Sequence, residues 1–366
     1  LNVIDAYGCY LETEDGQYMD WFMDCGVTPL GYRPNQLLYQ IAAEAYPHLP
    51  NTVTYEKREI VAEDLCRLTH MDKVFFCNSG TESVETAIKI IRKWNHDKGT
   101  GRKGIWTPRG SFHGRTLGSL AAGDSAEYHY TGFQPLPSGF VHFEHPDEID
   151  WGQAAGILLE PIAGNNDVRE REWLQDLCIK AIRNEVPIAF DEVQSGSFRT
   201  GKFSAAEWYG IVPDIMCLGK GIGCGIPTAV TLARGEFADV LGLGTHYSTF
   251  GGSPLSVLGI NTLLMAGNNG LGTNVKKQSH KIMNALSLLR YFGIKEVRGV
   301  GLMIAIEFEK GFNSSKYSEA LFDCGMFIPT FRKNIMKLAP PLNISDVDVD
   351  KGITIINKSF VEAFGC

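Results

Sequence analysis

Pro187-Ile188-Ala189-Phe190-Asp191-Glu192-Val193-Gln194 and, further along, Asp214-Ile215-Met216-Cys217-Leu218-Gly219-Lys220-Gly221 decide the fold. In each stretch a short apolar run ends on polar groups: a pair of acids in the first, a glycine-flanked lysine in the second. Short apolar runs bounded by turn residues read as buried strands. Outwards from these two, Met71 to Cys77, Ala155 to Leu159 and Thr228 to Ala233 read the same way. Helices are predicted from Ser83 to Trp94, from about Arg171 to Asn184 and near Val275 to Tyr291. In the first of them Val84, Ala87, Ile88 and Ile91 share one face. Strands alternating with helices predict an α/β fold with a mostly parallel sheet covered on both faces. From Tyr18 to Val27 the pattern is apolar and strand-like, and Gly31-Tyr32-Arg33-Pro34 turns the chain. The character changes near 268–272. Gly301 to Phe308 then reads as a strand of a second domain, which ends in a helix from about Asp348 to Phe364. The expected division is a large domain over residues 41–267 and a smaller one built from 1–40 and 268–366.

Of 366 residues, 44% are hydrophobic and 21% charged, which is ordinary globular usage. The net charge of −8 argues against a nucleic-acid partner, which calls for a basic face. The nine cysteines are odd in number and irregularly spaced, without Cys-x-x-Cys. That favours a reducing cytoplasm over secretion. No apolar run approaches the roughly 20 residues of a membrane span. The opening Leu1-Asn2-Val3-Ile4-Asp5 lacks the basic start of a signal peptide, and the first residue is not Met, which is compatible with a removed leader.

Two motifs mislead. Gly99-Thr100-Gly101-Arg102-Lys103-Gly104 matches G-x-G-x-x-G but follows a helix and precedes a strand, the reverse of a dinucleotide loop. Gly196-Ser197-Phe198-Arg199-Thr200-Gly201-Lys202 resembles a phosphate loop, yet Phe203 stands where a hydroxyl must hold magnesium. Neither is assigned a nucleotide, and no metal ligands are assigned.

Several segments carry chemistry. Asn78-Ser79-Gly80-Thr81-Glu82 joins a strand to a helix; it suits either an anion on the free amides or a plain capping box. Phe112-His113-Gly114-Arg115-Thr116 offers an aromatic face and a cation. Asp191 at a strand's carboxyl end needs a cationic partner if buried, and a protonated pyridine nitrogen is one. A structural ion pair or cap is the competing reading. Lys220 between glycines has room for a bulky adduct, and an amine that loses its proton attacks carbonyls. Ser248 and Thr249, before Gly251-Gly252, suit phosphate.

The ordered series S-G-T-E, F-H-G-R-T, E-P-I, D-E-V-Q-S-G, R-T-G-K, P-D-I, G-K-G-I-G-x-G-I-P and S-T-F-G-G resembles the class III aminotransferases of pyridoxal-phosphate fold type I, over nearly the whole chain. Ala339-Pro340-Pro341-Leu342 and Ile356-Asn357-Lys358 resemble the ornithine and acetylornithine branch. The resemblance implies a large domain with a mostly parallel seven-stranded sheet flanked by helices, plus a smaller α+β domain. It implies pyridoxal 5'-phosphate as cofactor, held by Lys220 as a Schiff base. Asp191 would pair with the pyridinium nitrogen and Gln194 with the phenolic oxygen, while Phe112 and Val193 sandwich the ring. Ser79, Gly80 and Thr81 would hold the phosphate, with Thr249 reaching the phosphate of the other subunit of a homodimer. His113, Glu160 and Ser248 complete the cofactor set. Arg115 matches an arginine that binds a substrate carboxylate, and Asn165, Lys337 and Cys25 complete the substrate side.

The resembled enzymes follow E-P-I with Q-G-E and carry an arginine before A-P-P-L. Here those positions are Asn165 and Lys337, so both halves of a switching pair differ together, and a lysine lacks the bidentate fork. The usual G-H-x-H-P is Gly31-Tyr32-Arg33-Pro34-Asn35, in which Arg33 is either a compensating cation or a surface residue. The implied reaction is a ping-pong transfer from ornithine, N-acetylornithine or another ω-amine to a 2-oxo acid, 2-oxoglutarate by family habit. An aminomutase, epimerase or decarboxylase on the same scaffold, or a non-catalytic cofactor-binding paralogue, are the alternatives.

Overall fold

Ala154–Leu159, Ile188–Asp191, Ile215–Leu218 and Ala229–Ala233 are strands in which every residue is buried. Strands covered on both faces carry continuous apolar runs, not alternating ones. In the computed structural model, which describes all residues except 45, 47, 290–292, 313, 332–333 and 365–366, these runs form the middle of the central sheet. Numbered in chain order, that sheet holds β4 (Lys73–Cys77), β5 (Gly104–Pro108), β6 (Phe140–Phe143), β7 (Ala154–Leu159), β8 (Ile188–Asp191), β9 (Ile215–Leu218) and β10 (Ala229–Ala233). The strand order is β4-β10-β9-β8-β7-β5-β6. All neighbours are parallel except β10, which is antiparallel to β4 and β9.

Successive strand residues face opposite sides. Leu158, Ala189, Ile215 and Cys217 therefore join one apolar cluster, while Leu159, Phe190, Met216 and Leu218 join the other. The helix Gly80–Asp97 covers the first with Val84, Ala87, Ile88 and Ile91. Truncating one such fully buried isoleucine to Ala would cost about 2–5 kcal/mol.

The chain ends build two smaller sheets. β1 (Val3–Tyr7), β2 (Tyr10–Thr13) and β3 (Gly16–Asp20) form an antiparallel meander, and β13 (Met326–Phe327) joins β3 in parallel. The other sheet, β11 (Ile294–Val300), β12 (Met303–Phe308), β15 (Ile335–Leu338) and β14 (Thr330–Phe331) in that order, is antiparallel.

The segment expected as one strand from Tyr18 to Val27 is not one. β3 stops at Asp20, whose Oδ1 accepts the amides of Phe22 and Met23 at 2.6 and 2.9 Å. Asp20 thereby offers the backbone an alternative to the ladder. Met23, Asp24 and Cys25 follow with φ of 49, 47 and 61°, a left-handed turn that Gly26 continues at 83°. The strand expected from Gly301 starts at Met303, because Gly301 and Leu302 form the tight turn between β11 and β12. The described part of the helix expected to reach Tyr291 runs over Leu271–Ser287, and Tyr291 itself lies outside the described residues. Two helices without an expectation, Glu56–Thr69 and Pro254–Asn268, also pack on the main core.

The rejected phosphate-loop segment has a structural task. Arg199, 3% exposed, donates to the carbonyls of Pro340 (2.6 Å), Leu302 (3.3 Å) and Gly26 (3.4 Å). Burial pulls its guanidinium down to about 9. The cation thus ties the left-handed turn to β12 and to the end of β15.

Candidate active site

β9 ends at Leu218, and Gly219 follows in an extended conformation. A Cβ on Gly219 would lie 3.1 Å from both Gly80 Cα and Val193 Cγ1, so no side chain fits there comfortably. Lys220 then takes φ of 45° at the start of a short 3-10 turn. A left-handed lysine costs roughly 1–2 kcal/mol, and strain of that kind gathers at functional sites. Lys220 lines a cavity of about 300 Å³ together with Phe112, Gln194 and Lys337.

β8 ends on Asp191, 5% exposed, which pairs in register with Cys217 of β9 and is not among the residues that line this cavity. Asp191 Oδ2 lies 2.8 Å from His113 Nδ1, and Oδ1 accepts the Val193 amide at 3.1 Å. The two adjacent acids part company here. Glu192 points to the other side, where it accepts the amides of Ala205 (2.5 Å) and Ala206 (2.8 Å) and the Ser195 hydroxyl (3.2 Å). Burial pushes its carboxyl up to about 7. Glu192 therefore caps the helix Ala205–Tyr209, and the structural reading of the acid pair holds for it.

Glu160 does not line the cavity. Its Oε2 accepts the Phe112 amide at 2.9 Å, which fixes the aromatic residue from behind. Burial raises the Glu160 carboxyl, against the opposing pull of His113. Two buried nitrogens here, His113 Nε2 and Gln194 Nε2, have no partner among the described residues. A buried N–H without an acceptor is costly, so an unpaired amide nitrogen beside the cavity marks where an acceptor belongs.

Ser79 is the N-cap of the helix Gly80–Asp97, and Glu82 reaches back to the Asn78 amide at 2.7 Å and to the Ser79 hydroxyl at 3.1 Å. Ser79 Oγ accepts the Glu82 amide at 3.5 Å, so the cap is met, but the reciprocal half of a capping box is not, since Glu82 takes the Asn78 amide and not that of Ser79; the anion reading stays open. First-turn amides such as those of Gly80 and Thr81 have no acceptor inside the helix, and the helix dipole favours an anion there. A Cβ on Gly80 would lie 2.6 Å from Val193 Cγ1, so glycine is what lets Val193 sit against the turn. The Thr81 hydroxyl lies 2.7 Å from that of Ser119. Ser248 accepts from Asn78 Nδ2 at 3.1 Å, whereas Thr249 is exposed and away from the Lys220 cavity.

On the substrate side, Arg115 is exposed, with its guanidinium 5.3 Å from the centre of the Phe112 ring. Arg115, Asn165, Lys337 and Cys25 all line the cavity. Asn165 uses Oδ1 to hold the Asp167 amide at 3.1 Å. Lys337 is only 2% exposed and donates to the Gly164 carbonyl and, at 3.3 Å, to Gln194 Oε1. Arg33 takes the surface alternative, paired with Asp5. Tyr32 does not reach the cavity; its hydroxyl donates to Asp20 at 2.5 Å and so braces the left-handed turn. Sequence reasoning missed Asp24, Tyr128 and His129 among the lining residues. The Tyr128-His129 pair beside an aromatic site was the available signal, since His129 meets Phe112 edge-on at 5.6 Å.

Comparison with known proteins agrees with this geometry. The family model for class-III aminotransferases matches residues 1–360. The chain is 34% identical to the acetylornithine aminotransferase of Streptococcus mutans, over 98% of this chain and 96% of that protein. It is 35% identical to acetylornithine aminotransferase 1 of Bradyrhizobium diazoefficiens, over 96% and 90%. Among solved structures it is similar to the ornithine aminotransferase of Toxoplasma gondii, with a TM-score of 0.92 at 24% identity over 99% of this chain and 90% of that one. The acetylornithine aminotransferase of Elizabethkingia anophelis superposes with a TM-score of 0.85 at 25% identity over 99% and 94%. The seven-stranded architecture is that of fold type I, and the chain belongs to the class-III aminotransferases, the pyridoxal-phosphate enzymes that its motifs resemble.

Proposed function

We propose that this aminotransferase moves an amino group from an ω-amine of the ornithine or N-acetylornithine type to a 2-oxo acid, in a ping-pong cycle with 2-oxoglutarate as the acceptor. One observation carries the reading: a strained lysine, Lys220, shares one cavity with Gln194 and two cationic side chains, Arg115 and Lys337. The names of the relatives, each matched over nine-tenths or more of its length, support the donor class. The Arg115 guanidinium suits a carboxylate of the acceptor.

The residues fit pyridoxal phosphate. The unpaired Gln194 Nε2 is a donor for a phenolic oxygen, and the buried Asp191 carboxylate is a partner for a protonated ring nitrogen. Phe112 and Val193 are assigned to the ring faces, and Ser79, Gly80 and Thr81 to the phosphate. When bound, the cofactor supplies an electron sink for the charge left on the substrate carbon as its proton leaves. Lys220 Nζ is the base we assign to take that proton from the amine-bearing carbon and return it to the carbon on the far side of the bridging nitrogen. His113 keeps Asp191 oriented through Nδ1, and Glu160 keeps Phe112 in place through its amide. Arg115 is assigned to a substrate carboxylate.

The active unit is read as a homodimer. Leu243, Tyr247 and Phe250 stand exposed around Thr249, an apolar surface that a second copy would cover. The pairing of β3 with β13 supports grouping residues 1–40 with 268–366. All eight cysteines among the described residues are free thiols, which supports the cytoplasm.

A screen of amine donors against 2-oxoglutarate and pyruvate tests the reading. Ornithine or N-acetylornithine alone should bleach the yellow protein, and 2-oxoglutarate should restore the colour. Turnover without any acceptor would instead identify an epimerase or mutase.

A further inference from the structure

Lys337 carries its charge deeper than an anchor for incoming anions requires, at 2% exposure on β15. Its ammonium faces the Gly164 carbonyl and Gln194 Oε1. An ammonium has donors only. Of the two ways the Gln194 amide can face it, only oxygen towards Nζ is attractive. The lysine therefore settles the orientation of that amide. The other end, Nε2, is the buried nitrogen without a partner, and both residues line the Lys220 cavity.

From this juxtaposition we propose that Lys337 is a positioning residue acting through Gln194. It holds the amide so that Nε2 donates to the cofactor's phenolic oxygen, and it thereby sets the pH at which the bound cofactor gives up its imine proton. The proposal rests on the reading of the cavity as a pyridoxal-phosphate site. Its sign follows from charge. A donor stabilises the phenolic oxygen most when that oxygen is most negative, which is after the imine proton has left. The donor, backed by a nearby cation, lowers the titration midpoint.

The test is a pH titration of the visible spectrum of cofactor-loaded protein, which a purely structural lysine would not move. Lys337→Met should raise the midpoint by about one pH unit, the equivalent of one charge-assisted hydrogen bond. Lys337→Arg, which still donates to Oε1, should stay near the parent value. Gln194→Ala should shift like Lys337→Met, and combining the two should add little. Coincident midpoints for the parent and Lys337→Met, with a raised KM for the oxo acid, overturn the proposal and make Lys337 an anion anchor. Additive shifts in the double variant also overturn it, because the lysine would then act by direct charge. If Lys337→Met does not fold, Lys337→Leu, which likewise has no donor, takes its place under the same criteria. A parent protein that takes no colour with pyridoxal phosphate defeats the cofactor reading itself and the proposal with it.

Discussion

Replacing His113 with phenylalanine isolates the contact that orients Asp191. The histidine side chain is fully buried, and its Nδ1 lies 2.8 Å from Asp191 Oδ2. In His113→Phe the carboxylate stays buried and keeps the Val193 amide at 3.1 Å but loses its side-chain partner. A hydrogen bond to a charged group contributes about 1.5–3 kcal/mol, so the cofactor-free protein should lose about 2 kcal/mol of stability in urea. The carboxyl plane, held at one oxygen only, then rotates more freely. Affinity for pyridoxal phosphate should fall about tenfold, which corresponds to about 1.4 kcal/mol. Fluorescence titration of the cofactor-free protein measures this second quantity independently of the first. His113→Gln keeps a side-chain donor and should recover part of both losses. An unchanged cofactor dissociation constant beside a clear loss of stability would refute the reasoning and reduce His113 to a packing residue.

Three further outcomes are expected. Gly80→Ala sets a Cβ 2.6 Å from Val193 Cγ1; overpacking of this kind costs about 1–3 kcal/mol, cofactor affinity should fall about tenfold, and adding Val193→Ala should restore the urea midpoint but not the affinity, since Val193 is assigned to a ring face. Arg115→Ala should raise KM for the oxo acid about tenfold, the worth of one charge-assisted contact, while the cofactor dissociation constant measured by fluorescence stays the same. Glu192 binds its proton more tightly in the folded chain, at about 7 against an ordinary 4.5. Its stabilising effect is therefore complete below pH 4.5 and lost as the pH rises through 7. Urea midpoints should decline over that window in the parent and decline less in Glu192→Gln.

The element ends around the candidate site were legible in the periodicity: Asp191 closes one apolar strand, Lys220 follows another, and Ser79 opens an amphipathic helix. The cofactor roles assigned to them came from the resemblance, not from periodicity. Periodicity did not say which acid of the Asp191-Glu192 pair enters the site. That depends on a helix start at Ala205 and Ala206, whose free amides claim Glu192. The left-handed turn left little mark either. Met23 and Cys25 are not residues that favour positive φ, and Trp21, Phe22 and Met23 prolong an apolar run, so among the three Asp24 alone hints at the turn. The turn exists because Asp20 takes two amides and a tyrosine hydroxyl, and because Arg199 binds the Gly26 carbonyl 173 positions away in the chain. Lys337 is the sharpest case. By its position in the motif it reads as a weakened carboxylate anchor. Two of its partners, Gly164 and Gln194, lie 173 and 143 positions away, and no local pattern encodes contacts of that span. Asn165 completes the logic. A carboxylate there would bring a competing charge to the same cavity, whereas the neutral amide spends its oxygen on the Asp167 backbone. The lysine's ammonium meets the Gly164 carbonyl and the Gln194 amide. Under the proposed role of Lys337, the two departures from the ornithine-type pattern become one change: a pair that would answer to substrate is exchanged for a cation that answers to Gln194.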